Sequence, residues 1–291
     1  MKDVFGSCHP GVILLFLSSA ILCSMMTFQP GCVIISFLIG SLYSIRLGGL
    51  KRWLAGIRLL SVLFLVVALG NPLLNHRGAT ALFHLWGAPI TRESIIFGLC
   101  MGGMMVSVFV WFQCYQRLMP SDRFLFLFGG VAPTSALIVS MILKFIPVTS
   151  QRYHSIQMAQ AGMGTADMKA DRKAKIRNGV KMTGILMSWS MEASIDTANS
   201  MKARGYGAGK RTHFSRYRVT PLDIWSFAVL GCLFAANLAA LFLLFIRFRF
   251  FPFVTAGWLH MPAIGLYILY AVMLSYPLLL EGKERLRWHY R

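Results

Sequence analysis

The sequence predicts an all-α polytopic membrane protein. About six membrane-spanning helices and one broken, re-entrant helical segment are expected, with amphipathic cytoplasmic helices inserted between the membrane parts. Three observations carry this. Of 291 residues, 56% are hydrophobic and 13% charged, about half the charged share of a soluble domain. Several apolar runs approach or exceed the roughly 20 helical residues that cross a hydrocarbon core of about 30 Å. Finally, 29 Lys and Arg against 10 Asp and Glu leave a net charge of +19. On so apolar a chain, that excess points to basic cytoplasmic loops. It leaves little soluble face on which to bind nucleic acid, so no nucleic-acid partner is expected. The same numbers exclude a soluble enzyme built on a single core.

The spans follow in order. The first covers 12–28 and the second 32–45, with Gln29-Pro30-Gly31 as a tight break between them. The first has a signal peptide's length, but Asp3 offsets Lys2 and no small-residue cleavage site follows, so a retained helix is expected. The third and fourth cover 57–70 and 95–115; two more lie at 224–246 and 261–280. The stretch 124–145 is apolar enough to cross once, yet Gly129-Gly130 and Pro133 interrupt it. Charge decides its path. Arg46, Lys51, Arg52 and Arg58 lie between spans two and three, Arg117 and Arg123 follow span four, and a larger basic block begins at Arg152. All three sit on the cytoplasmic side if 124–145 enters and leaves by one face, packed against protein.

From 151 to 218 the composition changes, to thirteen Lys and Arg against four acids. The domains expected are therefore membrane helices over 1–150, a cytoplasmic block over 151–219, and membrane helices with a basic tail over 220–291. Within the block, Met187, Met191, Ile195, Ala198 and Met201 recur at spacings of three and four, one stripe of a helix. Glu192, Asp196 and Asn199 fall on another face. Gly205 and Gly207 end that helix. Thr220-Pro221-Leu222-Asp223 begins another, with a capping residue, proline in the first turn and an acid near the N-terminus. Two roles are open to the block: packing beneath the membrane helices and against anionic lipid, or docking a soluble partner through Lys202 and Arg204.

Chemistry-bearing patterns are sparse. Six cysteines form no C-x-x-C pair, and neither a disulfide framework nor a zinc site is read from them. No metal-ligand spacing links the histidines, and Gly207-Ala-Gly209-Lys210 lacks the Walker spacing. Every carboxylate lies outside the apolar runs or at their ends, so no intramembrane proton relay is expected. Neither catalytic residues nor a cofactor are expected.

Two stretches carry more. One is Asn71-Pro-Leu-Leu-Asn-His-Arg-Gly-Ala-Thr80 with Gly87-Ala-Pro-Ile-Thr-Arg-Glu-Ser94; the other is Met201-Lys-Ala-Arg-Gly-Tyr206 with Gly209-Lys-Arg-Thr212. Together they resemble the transmembrane T component of energy-coupling factor (ECF) transporters, the EcfT/CbiQ family, over roughly residues 10–280. Phe145-Ile-Pro147 is similar to that family's approach to its coupling helices. The resemblance implies a prokaryotic cell-membrane subunit that joins two ABC-type ATPase subunits to a membrane-embedded S component. ATP-driven movement of the coupling helices would reorient the S component, for uptake of a vitamin or a transition-metal ion. By the family's motif, Ala203, Arg204 and Gly205 carry one ATPase-docking site. The second motif is degenerate: Gly162, Met163 and Gly164 stand there, with methionine in the arginine's place. That arm then docks without an ion pair, meets a non-acidic groove, or merely packs a helix end. Asn71, Pro72, Asn75, His76 and Gly78 form the structural loop motif, where Asn71 and Pro72 are expected to end the third helix. Two rival readings remain at this point: a membrane metal-dependent enzyme using His76, His84 and Glu93, and a secondary transporter working alone.

Overall fold

The computed structural model describes residues 4–75, 78–85, 88–163, 172–209, 217, 219–245 and 261–289. In chain order the elements are α1 (Val4–Ser7), α2 (Pro10–Met26), α3 (Pro30–Gly48), α4 (Leu50–Leu74), β1 (Ala81–Leu85), β2 (Ala88–Thr91), α5 (Arg92–Leu118), α6 (Ser121–Val131), α7 (Pro133–Gly162), α8 (Arg172–Ala203), α9 (Pro221–Phe245) and α10 (Met261–His289). The chain is thus an all-α, multi-pass membrane protein. Four of the long helices start on a proline, at Pro10, Pro30, Pro133 and Pro221. There the missing N–H costs nothing and φ is already helical.

Among the described residues, six helices are long and apolar enough to cross a membrane: α3, α4, α5, α7, α9 and α10. The membership differs from expectation, because the first run falls in α2, a shorter helix of 17 residues. At 1.5 Å per residue α2 still covers about 26 Å. It also supplies four of the largest fully buried side chains, Val12, Ile13, Phe16 and Leu17.

Two compact units divide the chain, Met1–Phe124 with Tyr217–Arg291, and Leu125–Arg216. The second unit begins well before the compositional step at 151, because α7 runs unbroken through it. The break in the 124–145 stretch falls at Ala132, with φ −133° and ψ 75°, just before Pro133. Gly129 and Gly130 lie inside α6. A residue that precedes proline is pushed out of the helical region, and that sets the break.

In the first unit, polar side chains fasten helices across apolar surroundings. Ser24 Oγ meets Ser36 Oγ at 2.8 Å and the Tyr270 hydroxyl at 2.9 Å, and Trp111 Nε1 donates to Ser36 Oγ at 3.0 Å. These bonds tie α2, α3, α5 and α10 together. Helices α4 and α5 meet through small residues. A Cβ at Gly98 would lie 2.8 Å from the Ala68 carbonyl oxygen, and one at Gly102 3.0 Å from the Phe64 ring. A four-residue spacing of glycines lets membrane helices approach this closely.

Phe16 packs edge-on to Trp111 with centroids 5.7 Å apart, and Phe28 stacks on Phe97 at 6.4 Å. Helices α2 and α5 therefore run in opposite directions, and α5 ends beside the start of α2. At that same end the His9 backbone N–H donates to Asp223 Oδ1 at 2.9 Å. Thr220 and Asp223 form a reciprocal cap there: Thr220 N and Oγ1 donate to Asp223 Oδ2, and Asp223 N donates to Thr220 Oγ1. The chain thus leaves the first unit after α5 and rejoins it at α9 on one and the same end.

Candidate functional site

The second unit is built on two long helices. Helix α8 has two apolar faces. Met182 is buried and Leu186, Ser190 and Ala193 are half-buried, and Trp189 lies on the same side. That face packs on α7, where Ile156 is buried and the Arg152 guanidinium lies 4.7 Å above the Trp189 ring. The other face carries Ile176, Val180, Met187, Met191 and Ile195, each between 62% and 67% exposed. Those positions recur at 3.6-residue spacing, nearly opposite the packed side. The stripe read from the sequence is thus the uncovered face.

Helix α8 ends in a Schellman turn. Gly205 N donates to the Lys202 carbonyl at 2.9 Å and Tyr206 N to the Met201 carbonyl at 3.0 Å, with Gly205 at φ +82° and Gly207 at φ +90°. Arg204 is the residue between the last helical turn and the left-handed glycine. It is exposed, as are Ala203 and Gly205. Nothing lies within 4 Å of a Cβ built on Gly205. Arg204 is thus an exposed guanidinium-bearing residue at a capped helix end, a position suited to meeting a planar carboxylate or carbonyl pair.

Helix α7 ends at Gly162, and among the described residues no left-handed turn follows it. Met163 caps it, donating from its backbone N–H to the Ala159 carbonyl at 3.1 Å. Met163 occupies on α7 the position that Arg204 occupies on α8. It is 69% exposed, as is Met158 one turn earlier. Gly164 lies outside the described residues.

The loop motif sits in the first unit, between α4 and α5. Asn71 and Pro72 do not end α4; it continues to Leu74 with Pro72 inside, and the Asn75 backbone N–H donates to the Asn71 carbonyl at 2.8 Å. The carbonyl that Pro72 leaves without a donor is that of Ala68, against which Gly98 packs. The two halves of the motif then close on each other. Thr80 Oγ1 donates to Glu93 Oε1 at 2.6 Å and Thr80 N to Glu93 Oε2 at 3.4 Å. Ser94 Oγ donates to the Asn75 carbonyl at 2.6 Å, and Thr91 Oγ1 caps α5 by accepting from Ser94 N at 3.3 Å. A Cβ on Gly78 would lie 2.5 Å from Thr91 Oγ1 and 2.7 Å from Glu93 Oε2, so only glycine fits there.

No family model matches this chain, and no curated protein matches it.

The segment expected as a loop between α4 and α5 contains an antiparallel hairpin, β1 with β2, in which His84 pairs with Pro89. His76 lies outside the described residues, and Glu93 is already held by Thr80. Among the described residues no three His, Cys, Asp or Glu gather in a cluster able to hold a metal. Sequence reading missed the link from His9 to Asp223 and the Ser24–Ser36–Tyr270 network. The only signal for the latter was isolated polar residues inside apolar runs.

Proposed function

We propose that this chain is the non-catalytic transmembrane coupling subunit of an ECF-type importer in a prokaryotic cell membrane. Two cytoplasmic ABC-type ATPases bind its helical insertion, and the membrane bundle holds an S component that carries a vitamin or a transition-metal ion. The chain itself is not an enzyme; its partners hydrolyse ATP. The observation that carries this reading is the exposed Arg204 at the Schellman-capped end of α8.

Charge supports the orientation. Arg46 in the last turn of α3, Lys51 and Arg52 in the first turn of α4, Arg117 in the last turn of α5 and Arg123 at the start of α6 gather at the end where α5 finishes. Basic loops of this kind stay in the cytoplasm. Arg117 Nη1 also donates to the Ser44 carbonyl at 3.0 Å and Arg123 Nη1 to the Leu118 carbonyl at 2.7 Å, each across a helix C-terminus. Since the insertion begins and returns at that end, the apolar part of α6 and α7 enters the membrane and comes back by the same face. Exposed side chains from Ile138 to Ile146 then meet lipid or a partner.

Arg204→Glu tests the proposal. Membrane insertion and yield are expected to persist, while ATPase association in mild detergent and substrate uptake fall by about a hundredfold, as when one partner of a buried charge pair is removed. Undiminished association and uptake would refute it.

A further inference from the structure

We infer that the membrane bundle holds a phospholipid of its own: one acyl chain lies in a groove between α3, α4 and α5, and the phosphate meets Arg92. The site belongs to the first unit alone and stands whatever the second unit binds.

Helices α3 and α4 part at a single residue, Gly49, and each packs on α5. Gly40 of α3 faces Val110 and Trp111, while α4 meets Gly98 and Gly102. Between α3 and α4 a recess of about 480 Å³ remains. Ile34 and Leu38 form one side, Ile57 and Phe64 the other, and Leu99 and Val106 the floor. Along α3 it runs from Pro30 to Leu38, about 12 Å. A dry apolar cavity of about 150 Å³ already takes up benzene, so this recess has room for a stretch of hydrocarbon chain. Left empty, its walls would forfeit the dispersion contacts that a chain restores.

The lining asks for hydrocarbon and nothing else. Ser61 carries its only hydroxyl, which donates to the Arg58 carbonyl of the same helix at 2.8 Å. A partner helix fits poorly here. Membrane helices seat against one another through small residues or interhelical hydrogen bonds. The one glycine of the lining is Gly103, and Val33 already stands 2.8 Å from its Cβ position. Ile34, Leu38 and Leu99 are 58%, 59% and 47% exposed, so the groove opens to the bilayer. A flexible chain threads between such branched side chains where a rigid helix does not.

Arg92 supplies the polar end. It begins α5 and is exposed. Leu99 follows two turns later, on the same face and about 10 Å deeper. Helix α5 has 27 residues, about 40 Å, which matches the bilayer with its headgroup layers. Arg92, at one end of it, therefore falls at the level of the phosphates. Its neighbour Glu93 is turned to Thr80. At this end of α3, α4 and α5, Arg92 is the only Lys or Arg among the described residues. A guanidinium meets two phosphate oxygens at once.

The experiment places a photo-crosslinking amino acid at 38, in the groove, or at 66, on the opposite, exposed side of α4. The full chain is purified from its own membrane in mild detergent, supplied with phosphatidylglycerol at low mole fraction, irradiated and analysed by mass spectrometry. Position 38 is expected to gain the mass of a phospholipid, and position 66 that of detergent. Arg92→Ala is expected to lower the adduct at 38 about tenfold, as for one charge-assisted hydrogen bond lost, whereas Arg92→Lys keeps most of it. Ser61→Phe, which fills the groove, should abolish it, and Leu59→Phe, on the far side of α4, should leave it unchanged. A protein adduct at 38 would give the groove to a partner helix or a second copy. That result, equal phospholipid adducts at 38 and 66, no adduct at 38, or an adduct indifferent to Arg92→Ala or to Ser61→Phe would each overturn the inference.

Discussion

Arg204 and Gly205 divide the labour at the α8 tip: one supplies charge, the other the left-handed backbone that turns the chain away. At φ +82° with open space around it, Gly205 resists substitution by conformation alone, which costs about 1–2 kcal/mol for an L-residue. Gly205→Val is therefore expected to leave yield intact, to lower the thermal midpoint in detergent by a few degrees at most, and to reduce uptake severalfold. Gly205→Asn, which tolerates that conformation better, should retain more. Equal uptake by the two variants would show that tip geometry is immaterial. Gly78 is the opposite case, since its side-chain space is taken by Thr91 and Glu93. Gly78→Ala, or Glu93→Ala with Thr80 left unpaired, is expected to destabilise the protein by about 2–3 kcal/mol. Thermal unfolding in detergent measures it, and an unchanged midpoint would mean that this contact contributes nothing.

At the scale of elements, α8 explains what periodicity can and cannot give. Ile176, Val180, Met187, Met191 and Ile195 recur as a helical stripe, and so do Met182, Leu186, Trp189 and Ala193. Spacing finds both sets; only packing tells which is covered. The expected end of α4 failed for a related reason. Proline removes one hydrogen bond, but Gly98 of the neighbouring helix lies against the freed Ala68 carbonyl, and no local rule sees a residue that far along the chain. The α8 ending and the Thr220–Asp223 cap were legible because glycine and capping chemistry act within a few residues. Small-residue contact between α4 and α5 gives a further prediction. Gly98→Leu should force the helices apart and lower the thermal midpoint sharply, with a cost of about 3 kcal/mol or more. Gly231→Ala, where nothing lies within 4 Å, should be neutral or stabilising by up to about 1 kcal/mol. Similar behaviour of the two would remove the close-packing account.

For the whole molecule, composition and the apolar runs revealed the class, since bilayer thickness fixes helix length regardless of detail. The hairpin between α4 and α5 was not legible, because short strands flanked by Pro and Gly read as turns. Which end faces the cytoplasm follows from the proposed reading and is open to direct measurement. In a cysteine-free background, Leu82→Cys on the exposed hairpin is expected to react with a membrane-impermeant maleimide from outside intact cells. Lys51→Cys and Lys202→Cys should react only after the cells are opened. Reaction of Lys202→Cys in intact cells would invert the orientation and end the proposal.

The hydrogen bond from His9 to Asp223 joins residues 214 positions apart, and this constrains the order of biosynthesis. Helix α2 emerges from the ribosome early, yet its start has no Asp223 carboxylate to bind until most of the chain has been translated. Ser24 waits longer still for Tyr270. The N-terminal hairpin must therefore persist in the bilayer as a half-finished assembly, Ser24 joined to Ser36 but still without Tyr270, until the C-terminal pair arrives to close the bundle.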